Sequence, residues 1–190
     1  ALAQQGVNTA YVGKTDVYAP GSRLGFSEMM RPGDRRVPGD TNHRRTPTTI
    51  REGAAKRANG YGSGENAGES DAQCVDDAVT WLCETAPAIE TPWVLVVNTG
   101  NPHFPHIAPP EFWDMYEGQG DLPAHGVECD SARHPYAEKI RQHFQTDQFN
   151  EEQARGLRRG YLACISFVDY QLGRLTEALA SAGLHDTTNV

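Results

Sequence analysis

Two short loops carry the side chains of this chain best suited to chemistry, Gly13-Lys14-Thr15-Asp16 and Pro102-His103-Phe104-Pro105-His106. Lys14 offers a compact positive charge that suits an anionic group. His103, flanked by Pro102 and Pro105, is held on a stiff backbone with an imidazole able to donate or accept a proton near neutral pH. In extended chain, residues two apart share a face, so Lys14 and Asp16 project together. From the residues alone, Lys-x-Asp also fits a surface salt bridge, and the Pro-rich loop also fits a plain turn. His106 would complete a His-x-x-His metal pair with His103, but the intervening Pro105 breaks the helical geometry that such a pair uses.

Each loop must be delivered by an element. Gln4-Gln5-Gly6 reads as a helix end with Gly6 as its stop signal, and Asn8–Val12 as the strand that leads to Lys14. The run Trp93-Val94-Leu95-Val96-Val97-Asn98 is too short for a helix, is rich in Val and ends in turn residues, which predicts a buried strand. The loop at a strand's C-terminal end is where open α/β sheets place ligands. A helical segment separates the two strands, and such crossovers favour parallel pairing. Lys14 and His103 are therefore expected at one edge of one sheet, facing one pocket within about 10 Å.

The stretch between the strands divides in two. From Arg31 to about Ser70 it is rich in Gly, Pro, Arg, Asn and Thr, with turn signals at Pro32-Gly33-Asp34 and Pro38-Gly39-Asp40 and a flexible Gly60-Tyr61-Gly62-Ser63-Gly64 run. A long flexible excursion over 31–70 is expected. Its basic residues Arg35, Arg36, Arg44, Arg45, Arg51, Lys56 and Arg57 read as a solvated face or as a rim that attracts anions. Asp71–Thr85 reads as a helix capped by Ser70 or Asp71, with Cys74, Val75, Ala78, Trp81 and Leu82 as its apolar stripe. A second helix starts at Asn150, with Gln153 completing a capping box. Its stripe of Leu157, Tyr161, Ile165, Val168, Leu172, Leu175 and Leu179 keeps the helical period until Gly183, which gives a rod of about 48 Å.

Composition excludes some classes. A net charge of −8 and a pI near 5.3 argue against a nucleic-acid partner, although a local cation still accommodates a small anion. No run of 18 apolar residues is present, so no membrane-spanning segment is expected in this piece. Cys74, Cys83, Cys129 and Cys164 show no Cys-x-x-Cys spacing, which speaks against a zinc site and demands no disulfide. Cys83 and Cys164 are expected as buried free thiols.

In order, these segments resemble the sulfatases of the alkaline phosphatase superfamily. The matching residues are Gly6-Val7-Asn8-Thr9 through Gly13-Lys14, then Ala78-Val79-Thr80-Trp81-Leu82, then Pro102-His103-Phe104-Pro105 followed by Pro110-Glu111-Phe112-Trp113. The last is Tyr161-Leu162-Ala163 through Asp169 and Leu172-Gly173. Gly-Lys-x-Asp in place of Gly-Lys-x-His, and His134-Pro135-Tyr136 leading towards Glu151, look closest to an arylsulfatase-K-like branch. The resemblance implies an α/β, alkaline-phosphatase-like fold with a central, mostly parallel sheet flanked by helices, here incomplete. It also implies that 1–190 is an internal portion of a single catalytic domain.

The same resemblance implies sulfate ester hydrolysis by a formylglycine nucleophile with Ca²⁺, both held by residues outside this chain. Cys129-Asp130-Ser131-Ala132-Arg133 has Cys and Arg at the nucleophile spacing, but Ser131 stands where the pattern needs proline, and it follows both strands instead of preceding them. The resemblance implies that Lys14 and His103, at the matching positions, contact the sulfate and that the lysine also helps protonate the leaving oxygen; by its own chemistry His103 suits either charge stabilisation or proton donation. No metal ligand is assigned within the chain. Asp16 departs from the family's histidine: an ionised carboxylate beside a dianion is repelled, so pairing with Lys14, accepting from the nucleophile's hydroxyl, or binding sugar hydroxyls suits it better. The implied substrate is a small-molecule or saccharide sulfate ester, and the resemblance allows periplasmic, secreted or cytoplasmic placement. Three rivals stay open: a phosphodiesterase or phosphonate monoester hydrolase of the same superfamily, a non-catalytic binding protein on this scaffold, and an interaction module built on the long helix.

Overall fold

The computed structural model describes residues 2–15, 24–31, 53–124 and 134–190. The chain is α/β, and its contacts divide it into two compact units. The first comprises Ala1–Thr41, Gly68–Gly100 and Asp169–Val190, the second Asn42–Ala67 and Asn101–Val168.

In the first unit, β1 (Asn8–Gly13) lies between β2 (Glu28–Met30) and β4 (Trp93–Asn98), all parallel. The two longer strands match the expected segments, and their parallel pairing runs from Asn8↔Trp93 to Gly13↔Asn98. On its other edge β4 pairs with no strand among the described residues. Helix α2 (Glu69–Thr80) continues as a π-helical turn over Trp81–Thr85 and a 3₁₀ turn over Ala86–Ala88. It buries Cys74, Val75 and Ala78 as its stripe predicts. Trp81 and Leu82 join Ala10, Ala86, Ala178 and Leu179 in the core. Trp81 meets Trp93 edge to face at 5.3 Å, and its indole N–H donates to Glu28 Oε2 at 3.0 Å. An aromatic core residue of this kind is worth about 3–5 kcal/mol on truncation to alanine.

Two expectations fail on this helix. Its N-cap is Gly68 in the left-handed region, with no side-chain cap, because the Asp71 carboxylate is taken up by the loop after β4. Cys83 is exposed: within the π turn, Trp81 and Leu82 occupy the buried positions and Cys83 falls outside them.

The second unit contains three elements that the pattern of apolar residues does not announce. These are α1 (Ala54–Ala58), β3 (Tyr61–Ser63) and β5 (His106–Ala108), the last two paired in parallel. Residues 53–70, expected as flexible, hold α1, β3 and the start of α2, while 32–52 and the basic residues within them lie outside the described residues. β3 is stabilised by contacts far away in sequence. The long helix α5 (Glu151–Ser181) presents Gly156 against the Tyr61 ring and Gly160 against the His106 carbonyl; a Cβ there would sit 2.1 Å and 2.4 Å from those groups. Ala108, Ala163 and Cys164 fill the core behind this contact, with Phe112 of α3 (Pro110–Asp114) and Tyr116 beside them. α4 (Pro135–Phe144) follows His134.

α5 begins and ends as expected. Asn150 and Gln153 exchange side-chain to backbone bonds of 2.8 and 3.0 Å, completing the capping box. At the other end Gly183, at φ +70°, donates to Ala180 O and Leu184 donates to Leu179 O, a Schellman stop. Its buried stripe, however, is rotated from the expected one. Tyr161, Ile165 and Leu172 are exposed, whereas Gly160, Ala163, Cys164, Phe167, Gln171 and Ala178 are buried. Small side chains face the strands because backbone comes close there, and hydrophobicity alone selects their larger neighbours. Among the described residues, no helix is long and apolar enough to cross a membrane.

Candidate functional site

Parallel pairing in register brings the C-terminal ends of β1 and β4 to one sheet edge. There the chain passes through Gly13 at φ +101°, where a Cβ would stand 2.2 Å from Asn98 O and 3.3 Å from Cys74 Sγ. Only glycine fits. The next amide, Lys14 N–H, donates to Asn98 O at 3.0 Å. The Lys14 carbonyl accepts twice, from the Tyr11 hydroxyl at 2.6 Å and from Asn98 Nδ2 at 2.6 Å. Asn98 Nδ2 also donates to the Tyr11 hydroxyl at 3.1 Å. The Tyr11 ring is in turn packed against Phe26, with centroids 5.0 Å apart. Lys14 is half-buried, and its main chain is tied on both sides to the last residue of β4.

The exit of β4 has its own anchor. Gly100 N–H donates to Oδ1 of buried Asp71 at 2.7 Å. Asp71 and burial together push the neighbouring Cys74 thiol up, burial being the larger cause. Cys74 is thus an inert core thiol.

His103 follows in the second unit, exposed, with cis peptide bonds preceding Pro102 and Pro105. Its Nδ1 lies 2.6 Å from Phe104 O. A carbonyl only accepts, so this bond is made by the tautomer that carries its hydrogen on Nδ1. His106 differs in kind. It sits in β5, edge to face with Tyr161 at 5.5 Å, and its Nδ1 is buried without a partner among the described residues. Burial, with a smaller contribution from His103, holds its pKa below the ordinary range. It is a neutral structural ring.

Lys14 and His103 belong to different units, and each is placed within its own. Asp16 and Cys129 lie outside the described residues. Among the described residues, no group of three or more His, Cys, Asp or Glu is arranged to hold a metal ion. The described side chains thus offer no seat for Ca²⁺. An open groove of about 680 Å³ lies beside β4 and is lined by Leu82, Pro92, Leu95, Leu172, Leu179 and Leu184. Lys14 and Asn98 are absent from its walls, and its apolar lining suits packing more than sulfate chemistry.

The sequence singles out Lys14 but not the residues that hold its main chain. Tyr11 and Asn98 bond to it across the strands, and Asp71 reads locally as a helix cap. No short-range pattern marks either arrangement.

The family model described as Sulfatase matches residues 1–190. The chain belongs to the sulfatase family. Its parallel, helix-flanked α/β architecture agrees with such a fold, and the family acts on sulfate esters. Two relatives show the same kinship. A choline-sulfatase of Rhizobium meliloti is 34% identical over 100 residues, covering 51% of this chain and 20% of the relative. A sulfatase of Formosa agariphila is 29% identical over 129 residues, covering 60% of this chain and 24% of the relative. The matched stretches thus span between a fifth and a quarter of these relatives' length.

Proposed function

We propose that this chain is an internal portion of the catalytic domain of a sulfuric ester hydrolase, to which it contributes Lys14 and His103. The sulfatase family match over residues 1–190 carries this reading. Lys14 neutralises charge on the sulfuryl oxygens, a role that a lysine with a fixed main chain performs with little reorganisation. His103, with Nδ1 committed to Phe104 O, transfers a proton through Nε2 to the departing oxygen. Asp16 pairs with Lys14, accepts from the nucleophile's hydroxyl or binds sugar hydroxyls of the substrate. The formylglycine and Ca²⁺ that the family reading implies would be held by residues other than those assigned here; the first would supply the nucleophile and the second would polarise the ester. The substrate is a small-molecule or saccharide sulfate, and the choline-sulfatase relative makes an alkyl sulfate such as choline sulfate the first to assay.

The test is leaving-group dependence in the full-length protein. His103→Ala is expected to lower turnover of alkyl or sugar sulfates by about 10²–10⁴-fold, and of activated aryl sulfates by less, because these need less protonation. Lys14→Ala should damage both, since sulfate charge is present whatever the leaving group. Equal losses on both substrates for His103→Ala would make it a sulfate-binding residue. No loss from either variant would overturn the reading, and faster turnover of phosphonate monoesters or phosphodiesters than of any sulfate would move the protein to the rival hydrolase class.

A further inference from the structure

We propose that Tyr11 and Asn98 are positioning residues that set the main chain from which the Lys14 ammonium is presented. The inference rests on the sulfatase reading of Lys14 and adds two residues with no part in it so far. Both amide groups of Lys14 are fixed by hydrogen bonds. Its N–H is held by the Asn98 carbonyl at 3.0 Å, and its C=O by the Asn98 side-chain amide and the Tyr11 hydroxyl at 2.6 Å each. Asn98 therefore grips Lys14 from both its main chain and its side chain. A fourth bond, from Asn98 Nδ2 to the Tyr11 hydroxyl at 3.1 Å, closes a ring of three polar groups.

This exceeds what a sheet needs at its end. The strand ladder is complete at Gly13↔Asn98, and the carbonyl of the next residue would ordinarily be left to water. Here it takes two side-chain donors from residues 3 and 84 positions away. Fixing both peptide planes sets the point from which the Lys14 side chain starts, so its ammonium searches a small volume. A charged group acts on a developing anion only when aimed beforehand. Asn98 is exposed at the sheet edge, so its contribution to core packing is small, and neither donor is required to fill a cavity.

The experiment uses the full-length protein with Tyr11→Phe and Asn98→Leu, each made with Lys14 intact and again with Lys14→Ala. With Lys14 intact, each variant should lower kcat for a sulfate ester by roughly 10-fold, the scale of one lost bond and a small displacement, with KM little changed. In the Lys14→Ala protein, the same changes should cost less than about 2-fold, because residues acting through one group are not additive. Asn98→Asp, which keeps the size but cannot donate, replaces Asn98→Leu if the latter fails to fold. Where Lys14→Ala turnover is too slow to measure, calorimetric binding of inorganic sulfate gives the second readout, with weakening expected only when Lys14 is present. Equal losses with and without Lys14, or wild-type kinetics for both variants, would overturn the proposal. An active Lys14→Ala protein would instead overturn the underlying role of Lys14, a separate result.

Discussion

Gly13→Ala tests the close approach on which the candidate site is built. The alanine Cβ would stand 2.2 Å from Asn98 O, where ordinary contact begins at 3.4 Å. Relief requires the ends of β1 and β4 to part, which breaks the bond from Lys14 N–H to Asn98 O. The backbone at φ +101° adds strain that a side chain makes worse. Conformational strain of about 1–2 kcal/mol, a lost hydrogen bond of about 1 and overpacking of 1–3 together give roughly 3–6 kcal/mol. That is a large share of the 5–15 kcal/mol or so that holds a domain together. Urea denaturation followed by tryptophan fluorescence reads the change. Gly100→Ala serves as the control, since its Cβ would meet nothing nearer than the Asp71 carboxylate at 3.4 Å; it should lose less than about 1 kcal/mol. A Gly13→Ala protein as stable as the Gly100→Ala control would refute the close approach, and the held Lys14 with it.

Three further outcomes are expected. Asp71→Leu should destabilise the protein by about 1–3 kcal/mol by stranding the Gly100 N–H, while Asp71→Asn, which keeps an acceptor, should lose less; equal losses in urea titrations would discard the anchor. His106 has its pKa depressed by burial and by His103, so the unfolded state takes up its proton first as pH falls. Its contribution to stability is complete above the unfolded value of about 6.5 and declines below it; His106→Gln should flatten the acid limb of a Tm-against-pH curve, and an unchanged curve would contradict this. In a Cys129→Ser protein at pH 8, exposed Cys83 should react quickly with a disulfide reagent, whereas buried Cys74 and Cys164 should wait for unfolding; prompt modification of Cys74 would show that its raised pKa and burial are misjudged.

What could be read in the sequence was whatever is encoded locally. The run Trp93–Asn98 carries its own β pattern and turn residues, and Asn150 with Gln153 spells a capping box within four residues. Gly13-Lys14 was legible as a strand exit because glycine before a cation permits close approach. The unread parts are those fixed at a distance. β3 and β5 are three residues each, and the notch made by Gly156 and Gly160 that admits them lies some hundred residues after Tyr61 in the chain. The same notch explains the misjudged stripe on α5, where small residues are buried and larger ones beside them are not. At the site, Asn98 reaches Lys14 across 84 positions, which no short window contains. Asp71 looks like a helix cap and acts as a loop anchor. Local rules mark the strand exit at Gly13-Lys14, and tertiary structure supplies the bonds that hold it.

Among the described residues the outer edge of β4 pairs with no strand, which has a practical consequence. Six consecutive residues, four of them Val or Leu, expose one side of their peptide groups to any extended chain that arrives, and Val94 is already 37% accessible. Such an edge is adhesive, and among the described residues Pro92, one residue before the strand, is what interrupts the donors. In a preparation of these 190 residues alone, copies are expected to join edge to edge as concentration rises. Loss of soluble material would then report on a vacant strand position, and an extended peptide supplied in excess should keep the protein in solution by occupying it.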